Sequence, residues 1–308
     1  MSQEAPLPLS TLVRMTRPGF LVITVVGCLL GIASADACGH PPHVWSALAT
    51  LVLASLAHAA GNVLNDVHDA QSGADAANTH GLFPFTGGTR LIQQGAVSVQ
   101  QTRDLARALL MVWVPAGVWL ALQTSPSVLW VGTLGLLLAW AYSAPPLALM
   151  SRGLGELAVA AAWSLVVIGA DAVQRGQVFI VPALTSLSYG LLIANILLIN
   201  GVPDAPADAS VGKATLAVRA GPRGTALLYV LFALLAHGWL AWGAWHFLQP
   251  ERAIWGMVSA PLSVAAAVLL WRRVDTPDRL RSAIVLTIVA ACVHGLAMAA
   301  GLLSMRWI

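Results

Sequence analysis

Apolar runs recur along the chain at 18–37, 43–65, 104–122, 127–143, 154–173, 178–200, 224–247, 253–271 and 283–304, each set off by polar residues, Pro or Gly. A helix needs about 20 apolar residues to cross the hydrocarbon core of a bilayer. The pattern therefore predicts nine transmembrane helices and an all-α, polytopic membrane protein. The runs lack the two-residue alternation of barrel strands, and lipid leaves the backbone no third way to satisfy its hydrogen bonds. The first run follows Arg14 and Arg17 and contains Ala33-Ser34-Ala35, which resembles an export-signal cleavage site. Other residues precede those arginines and many apolar spans follow, so we read this run as a retained first helix.

The polar residues between the runs predict an orientation. With the amino terminus inside, the cytoplasmic segments hold Arg14, Arg17, Arg90, Arg103, Arg107 and Arg152, then Lys213, Arg219, Arg223, Arg272, Arg273, Arg279 and Arg281. Only Arg175, Arg252 and Arg306 fall outside. Positive loops stay in the cytoplasm, so this bias predicts an N-in, C-out arrangement. Nothing divides residues 1–308 into more than one domain. Two cytoplasmic connections, at about 66–103 and 201–223, are much longer than the rest, and long connections in compact proteins usually carry function.

Composition agrees with this picture: 58% of the 308 residues are apolar and 9% charged, against about 25% charged in a soluble domain. The net charge of +3 is spread through short loops, where it sets topology and implies no nucleic-acid partner. Cys28, Cys38 and Cys292 lack the spacing of a disulfide framework or a zinc site, and Cys38, His40 and His43 read as an ordinary connector. Trp45, Trp113, Trp245 and Trp307 suit interfacial belts or lipid-facing packing, and Gly27-xxx-Gly31 permits close helix approach.

The acidic residues are where the chain becomes chemically informative. On a helix Asn62, Asp66 and Asp69 stand at i, i+4 and i+7, and Asp204 and Asp208 at i, i+4, so each group shares one face. Two carboxylates 4 Å apart repel by roughly 4 kcal/mol at an effective dielectric near 20, so such faces call for counterions. Oxygen ligands with little His or Cys nearby favour magnesium completed by substrate phosphates. Thr86-Gly87-Gly88-Thr89-Arg90 follows the first group and Gly212-Lys213-x-Thr215-xxx-Arg219 the second. Backbone N–H groups of a Gly pair with Arg and Lys make a phosphate cradle.

These motifs resemble those of the UbiA superfamily of intramembrane prenyltransferases, and within it the 1,4-dihydroxy-2-naphthoate polyprenyltransferases. The resemblance covers nearly the whole chain: Thr16-Arg17-Pro18; Asn62-xx-Asn65-Asp66-xx-Asp69-xxx-Gly73-x-Asp75; Gly87-Gly88-Thr89-Arg90; Tyr142-Ser-Ala-Pro145-Pro146 with Arg152-Gly153-Leu154-Gly155-Glu156-Leu157; and Asn200-xxx-Asp204-xxx-Asp208-xxx-Gly212-Lys213. It implies that Asp66, Asp69, Asp75, Asp204 and Asp208 bind Mg2+ bridging a prenyl diphosphate, with Asn62 and Asn200 beside them. It further implies that Arg90, Arg152, Lys213 and Arg219 neutralise the diphosphate, and that Tyr142 orients substrate or shields an allylic cation. The implied partners are a polyprenyl diphosphate, an aromatic acceptor and membrane lipids. The implied setting is a bacterial inner membrane with the site facing the cytoplasm. Three features depart from the family pattern: Pro203 stands where many members have Arg, His68 where relatives are often aromatic, and the Lys-Arg that follows the loop tyrosine in some branches is absent, with Pro146 near that place.

The remaining polar residues have plainer readings. Glu156 complements the dipole of the helix it opens, Asp171 pairs with Arg175 at i+4, and Asn195 makes an interhelical hydrogen bond or touches substrate. The expected activity is Mg2+-dependent transfer of a polyprenyl group to an aromatic acceptor, most simply 1,4-dihydroxy-2-naphthoate. Another aromatic or lipid acceptor, or an intramembrane terpene cyclisation, uses the same motifs. A secondary transporter with carboxylate cation sites is the alternative from another class.

Overall fold

A computed structural model describes residues 7–79 and 81–305, so Arg306 and Trp307 lie outside the described residues. Among those described, the chain is helical without strands: α1 (Leu9–Met15), α2 (Leu21–Ala37), α3 (Val44–Ser72), α4 (Ala74–Ala77), α5 (Val99–Gln123), α6 (Ser127–Ser143), α7 (Gly155–Arg175), α8 (Ile180–Ser210), α9 (Leu216–Trp245), α10 (Ala260–Arg273) and α11 (Arg281–Ser304). Eight helical segments are long and apolar enough to cross a membrane, counting Pro18–Ala37 and Glu251–Arg273 as continuous spans. The ninth expected span is α6, which is apolar but only 17 residues long.

Several helices outrun their apolar stretches. The α3 helix continues past residue 65 because nothing stops it before Gly73, whose φ of 80° closes it in the left-handed region. Likewise α8 continues to Ser210 through Pro203 and Pro206, which remove the N–H donors that the carbonyls of Ile199 and Val202 would otherwise receive. The α9 helix starts at Leu216, with Thr215 accepting from the Val218 N–H, and kinks at Gly221 (φ 67°, ψ 175°) before Pro222. Arg219 and Arg223 hide these first turns from a reading by hydropathy.

The bundle packs through small residues. Val26 and Leu30 of α2 meet Val167, Tyr189, Ile193 and Met298 in one buried cluster, while Leu198, Ile199, Tyr229, Leu270 and Ile284 form a second. Large apolar side chains such as Met111, Trp130 and Leu234 face outward, as expected where lipid is the solvent. A Cβ at Gly31 would lie 2.2 Å from the Val167 carbonyl oxygen and 2.8 Å from the Ala170 Cβ, so α2 and α7 touch backbone to backbone there. Gly31→Val is accordingly expected to destabilise the bundle by about 1–3 kcal/mol or more, read as a lowered melting temperature in detergent. Two polar ties read from the sequence are present: Arg175 Nε lies 2.7 Å from Asp171 Oδ2 in a buried ion pair, and Asn195 Nδ2 donates to the Tyr229 carbonyl at 3.0 Å.

The 78–98 connection is fastened to the bundle. Leu91 and Val97 are buried against Met15, Val63 and Ala106, and Ser98 with Gln101 forms a capping box that starts α5. The connection is therefore held over the ends of α3 and α8.

Candidate active site

The C-terminal turns of α3 supply the first acidic set. Asp66 is buried, ion-paired with Arg17 and receiving the Thr89 hydroxyl at 2.7 Å. Asp69, one turn on, accepts from Asn65 Nδ2 and from Lys213 Nζ, the latter at 2.6 Å. Asp75 follows on α4, with Gln93 Nε2 at 3.4 Å from its carboxylate. Gly88 closes this set from the connection. A Cβ there would lie 3.0 Å from Asp75 Oδ2 and 3.1 Å from both Arg17 Nη2 and Asp66 Oδ1, and φ is +71°, so the turn accepts only glycine without strain.

The second set comes from α8. Asp204 receives Asn78 Nδ2 at 2.7 Å and the Gly87 backbone N–H at 3.1 Å, so the connection also ties α8 to α3. Asp208 lies 3.4 Å from Lys213 Nζ, and Lys213 thereby bridges the two sets.

One cavity of about 140 Å3 lies between them. Its walls include Asp69, Asp75, Asp204, Asp208, Asn200 and the cations Arg17 and Lys213, together with Phe85, Tyr142, Met150, Glu156 and Leu197. Asp66 stands just behind, holding Arg17.

Other sequence candidates are not brought to this cavity. Asn62 donates to the Thr16 carbonyl at 3.0 Å and anchors the chain segment that carries Arg17. Arg90 reaches the Asp75 carbonyl and stacks over the Phe83 ring at 5.1 Å, which braces the connection. Arg152 is exposed and donates to the Pro146 carbonyl at 2.6 Å. Arg219 is exposed and donates to the Ala214 carbonyl at 2.9 Å. His68 is half-buried on α3 and outside the lining.

Among the lining residues that had no site role from sequence are Arg17, Asn78 and Glu156. Arg17 read as a topology residue at the mouth of the first span, Asn78 had no motif, and Glu156 read as a helix-dipole partner. Glu156 is in fact 4% exposed and faces the cavity. The family-like Thr16-Arg17-Pro18 was the one signal available for Arg17, whose left-handed backbone (φ 52°) turns the chain into the first span.

Electrostatics reinforce the clustering. Burial pushes Asp75 up from 3.8 to about 7, with Asp69 and Asp66 adding to the shift and Arg17 and Lys213 opposing it. Burial works against charge on Lys213 and on Arg17, yet the adjacent carboxylates outweigh it and hold both above their ordinary values. A cation binding Asp75 must displace its proton. Divalent-metal affinity is therefore expected to tighten as pH rises towards about 7 and to level off above it, a slope that Asp75→Asn flattens in metal-binding titrations. In metal-free protein the same group has the opposite sign. The folded state holds a proton that the unfolded state has lost, so this contribution to stability falls between about pH 4 and 7.

Among the described residues no three carboxylate, imidazole or thiol groups stand close enough to cage an ion alone. The donors nevertheless suit a hard divalent cation that completes its shell with substrate oxygens. They are carboxylates in two facing sets, plus the buried Asn200 Oδ1, which has no hydrogen-bond partner among the described residues and belongs to a residue of the cavity wall.

Fold and cavity together define an integral membrane protein whose bundle gathers two acid-bearing helix ends and two cations around one cavity. A model of the UbiA prenyltransferase family matches residues 20–291, and the chain belongs to that family; it is a prenyltransferase. Among curated relatives, the 1,4-dihydroxy-2-naphthoate octaprenyltransferase of Mycobacterium leprae is 31% identical over 254 residues, covering 81% of this chain and 82% of that protein. The enzyme of the same name from Mycobacterium tuberculosis is 29% identical over 255 residues, covering 82% of each. Among solved structures, the apo form of a UbiA homologue from Aeropyrum pernix superposes with a TM-score of 0.66 at 17% identity, covering 90% of this chain and 97% of that one. A UbiA homologue from Archaeoglobus fulgidus bound to GPP and Mg2+ gives a TM-score of 0.64 at 15% identity, covering 94% and 99%. These structures share the fold.

Proposed function

We propose that this protein transfers a polyprenyl group from its diphosphate to 1,4-dihydroxy-2-naphthoate, with Mg2+, at the cytoplasmic face of a bacterial inner membrane. The observation that carries the reading is the meeting of Asp69 and Asp75 with Asp204 and Asp208 across one cavity, with Arg17 and Lys213 lodged between. The names of the mycobacterial relatives support the acceptor. The arginine-rich segments at this end of the bundle support the orientation.

The residues divide the work. Asp66, Asp69, Asp75, Asp204 and Asp208, with Asn200, would hold Mg2+, which supplies positive charge to the departing diphosphate. Arg17 and Lys213 turn from their carboxylate partners towards the phosphate oxygens and stabilise the charge that develops there. The surrounding apolar helices exclude water, so that the allylic cation meets the aromatic ring before it meets hydroxide. The connection at 78–90 closes the cavity through Asn78 and the Gly87 N–H, which fix it to Asp204.

The test is purified protein in liposomes with labelled prenyl diphosphates of several lengths, with and without 1,4-dihydroxy-2-naphthoate and Mg2+. A prenylated 1,4-dihydroxynaphthalene that needs both is expected, recovered as the naphthoquinone once air has oxidised it. Diphosphate consumption without acceptor would replace transfer by cyclisation or hydrolysis, and a product only with another aromatic acid would reassign the acceptor.

A further inference from the structure

The cavity carboxylates differ in what holds them. Asp69 has Lys213 and Asn65, Asp75 has Gln93, Asp204 has Asn78 and the Gly87 N–H, and Asp208 has Lys213. Glu156 is as buried as these, yet among the described residues no side chain donates to it or pairs with it, and only its own backbone N–H turns towards it. Its place is fixed by its neighbour. A Cβ at Gly155 would lie 3.1 Å from the Met150 Cα and 3.4 Å from Leu197 Cδ2, which wedges the first turn of α7 against two apolar members of the cavity wall. Tyr142 shares that wall.

Glu156 opens α7 against the apolar Met150 and Leu197 and stands on neither acidic helix end, so it falls outside the diphosphate-binding group. It suits a neutral hydroxyl donor in a partly apolar pocket. Resting on the prenyl-transfer reading, we propose that Glu156 is a catalytic base for the acceptor: it takes the proton of a ring hydroxyl while the ring lies against Tyr142, Met150 and Leu197.

The step balances. The acceptor O–H bond breaks and its proton passes to the Glu156 carboxylate, and the oxygen electron pair enriches the ring. A ring carbon forms the C–C bond to the prenyl C1, whose C–O bond breaks with its electron pair leaving on the diphosphate. That carbon then releases a proton, or carbon dioxide where it bears a carboxylate, and the electrons of the broken bond restore the aromatic ring. The proton held by Glu156 returns to the ring oxygen.

The experiment compares full-chain wild type with Glu156→Gln and Glu156→Asp in liposomes, using 1,4-dihydroxy-2-naphthoate and analogues with electron-withdrawing substituents whose hydroxyl is already ionised at the assay pH. For the parent acceptor, Glu156→Gln is expected to lower kcat by about 10^2- to 10^3-fold with the KM for prenyl diphosphate and the Mg2+ dependence unchanged. Glu156→Asp should recover part of that loss. For pre-ionised analogues the penalty should shrink to within a few-fold of wild type, which a structural role would not produce. Magnesium-dependent prenyl diphosphate binding by each variant shows that the fold survives. An equal penalty across all acceptors, a weakened Mg2+ dependence, or full activity of Glu156→Gln overturns the base assignment while leaving prenyl transfer in place. Absence of any prenylated aromatic from wild type overturns the transfer reading itself, and the base with it.

Discussion

Asp66→Ala and Asp204→Ala are each expected to reduce prenyl transfer by at least about 10^3-fold, because each removes a carboxylate around which the cavity is assembled. Asp66 holds both Arg17 and the Thr89 hydroxyl, so its loss frees the cation nearest the first acidic set and slackens the connection at Gly88. Asp204 holds Asn78 and the Gly87 N–H, so its loss unfastens the same connection from α8. The two act through one assembly, and the double variant is expected to be little worse than either single variant. Asp→Asn substitutions at the same sites keep the shape and separate lost charge from lost packing. Steady-state kcat/KM beside Mg2+-dependent binding of prenyl diphosphate is the measurement. Retention of more than a tenth of wild-type activity by either alanine variant would remove that residue from the site.

Lys213→Met should produce the second large effect, on stability as well as on turnover. Lys213 Nζ lies 2.6 Å from Asp69 and 3.4 Å from Asp208, and all three side chains are at most 15% exposed. Removing the cation leaves two buried carboxylates facing each other, which costs about 3 kcal/mol where one partner of a buried pair is deleted. The melting temperature in detergent is expected to fall in metal-free buffer. Added Mg2+ should raise it more in the variant than in wild type, since the ion then replaces the missing charge and binding stabilises the folded state. Equal stabilisation of both proteins by Mg2+ would show that the ion and Lys213 do not share these carboxylates. Arg219→Ala, in contrast, is expected to leave activity within a few-fold of wild type, because Arg219 is exposed and bonded to the Ala214 carbonyl outside the cavity.

Much of the architecture was legible because lipid imposes a simple rule. An apolar run near 20 residues must be a helix, and the observed helices sit on the expected runs with shifts at their polar ends. The shifts fall where hydropathy ceases to report helix: Asp66 and Asp69 on α3, Asp204 and Asp208 on α8, and Arg219 and Arg223 on α9 all continue helices beyond the apolar stretch. The aspartate spacing was legible for the same periodic reason, since i, i+4 positions share a face whether or not the helix lies in lipid.

Which cations reach the cavity was legible only in part. Lys213 was expected at the diphosphate and lines the cavity; Arg17 was not singled out for it yet lines the cavity too, while Arg90, Arg152 and Arg219, expected there as well, donate to backbone carbonyls. Spacing within one helix cannot reveal which residue from a distant segment fills the gap between two carboxylates. Asp69 and Lys213 are 144 positions apart.

By itself the sequence determined the membrane-spanning helices, the two acidic faces and the family motifs, because each rests on local periodicity and on the cost of exposing backbone or charge to hydrocarbon. The family motifs implied that both acidic faces serve one site; tertiary structure set them around one cavity and decided which of the cations enter it. It also decided that Glu156 stands there with no side-chain partner among the described residues. Those outcomes follow from how closely helices can approach, as at Gly31 against Val167, and from where a fastened connection carries Asn78, Gly87 and Gly88. Such distances between remote segments are set by packing, which no local pattern contains.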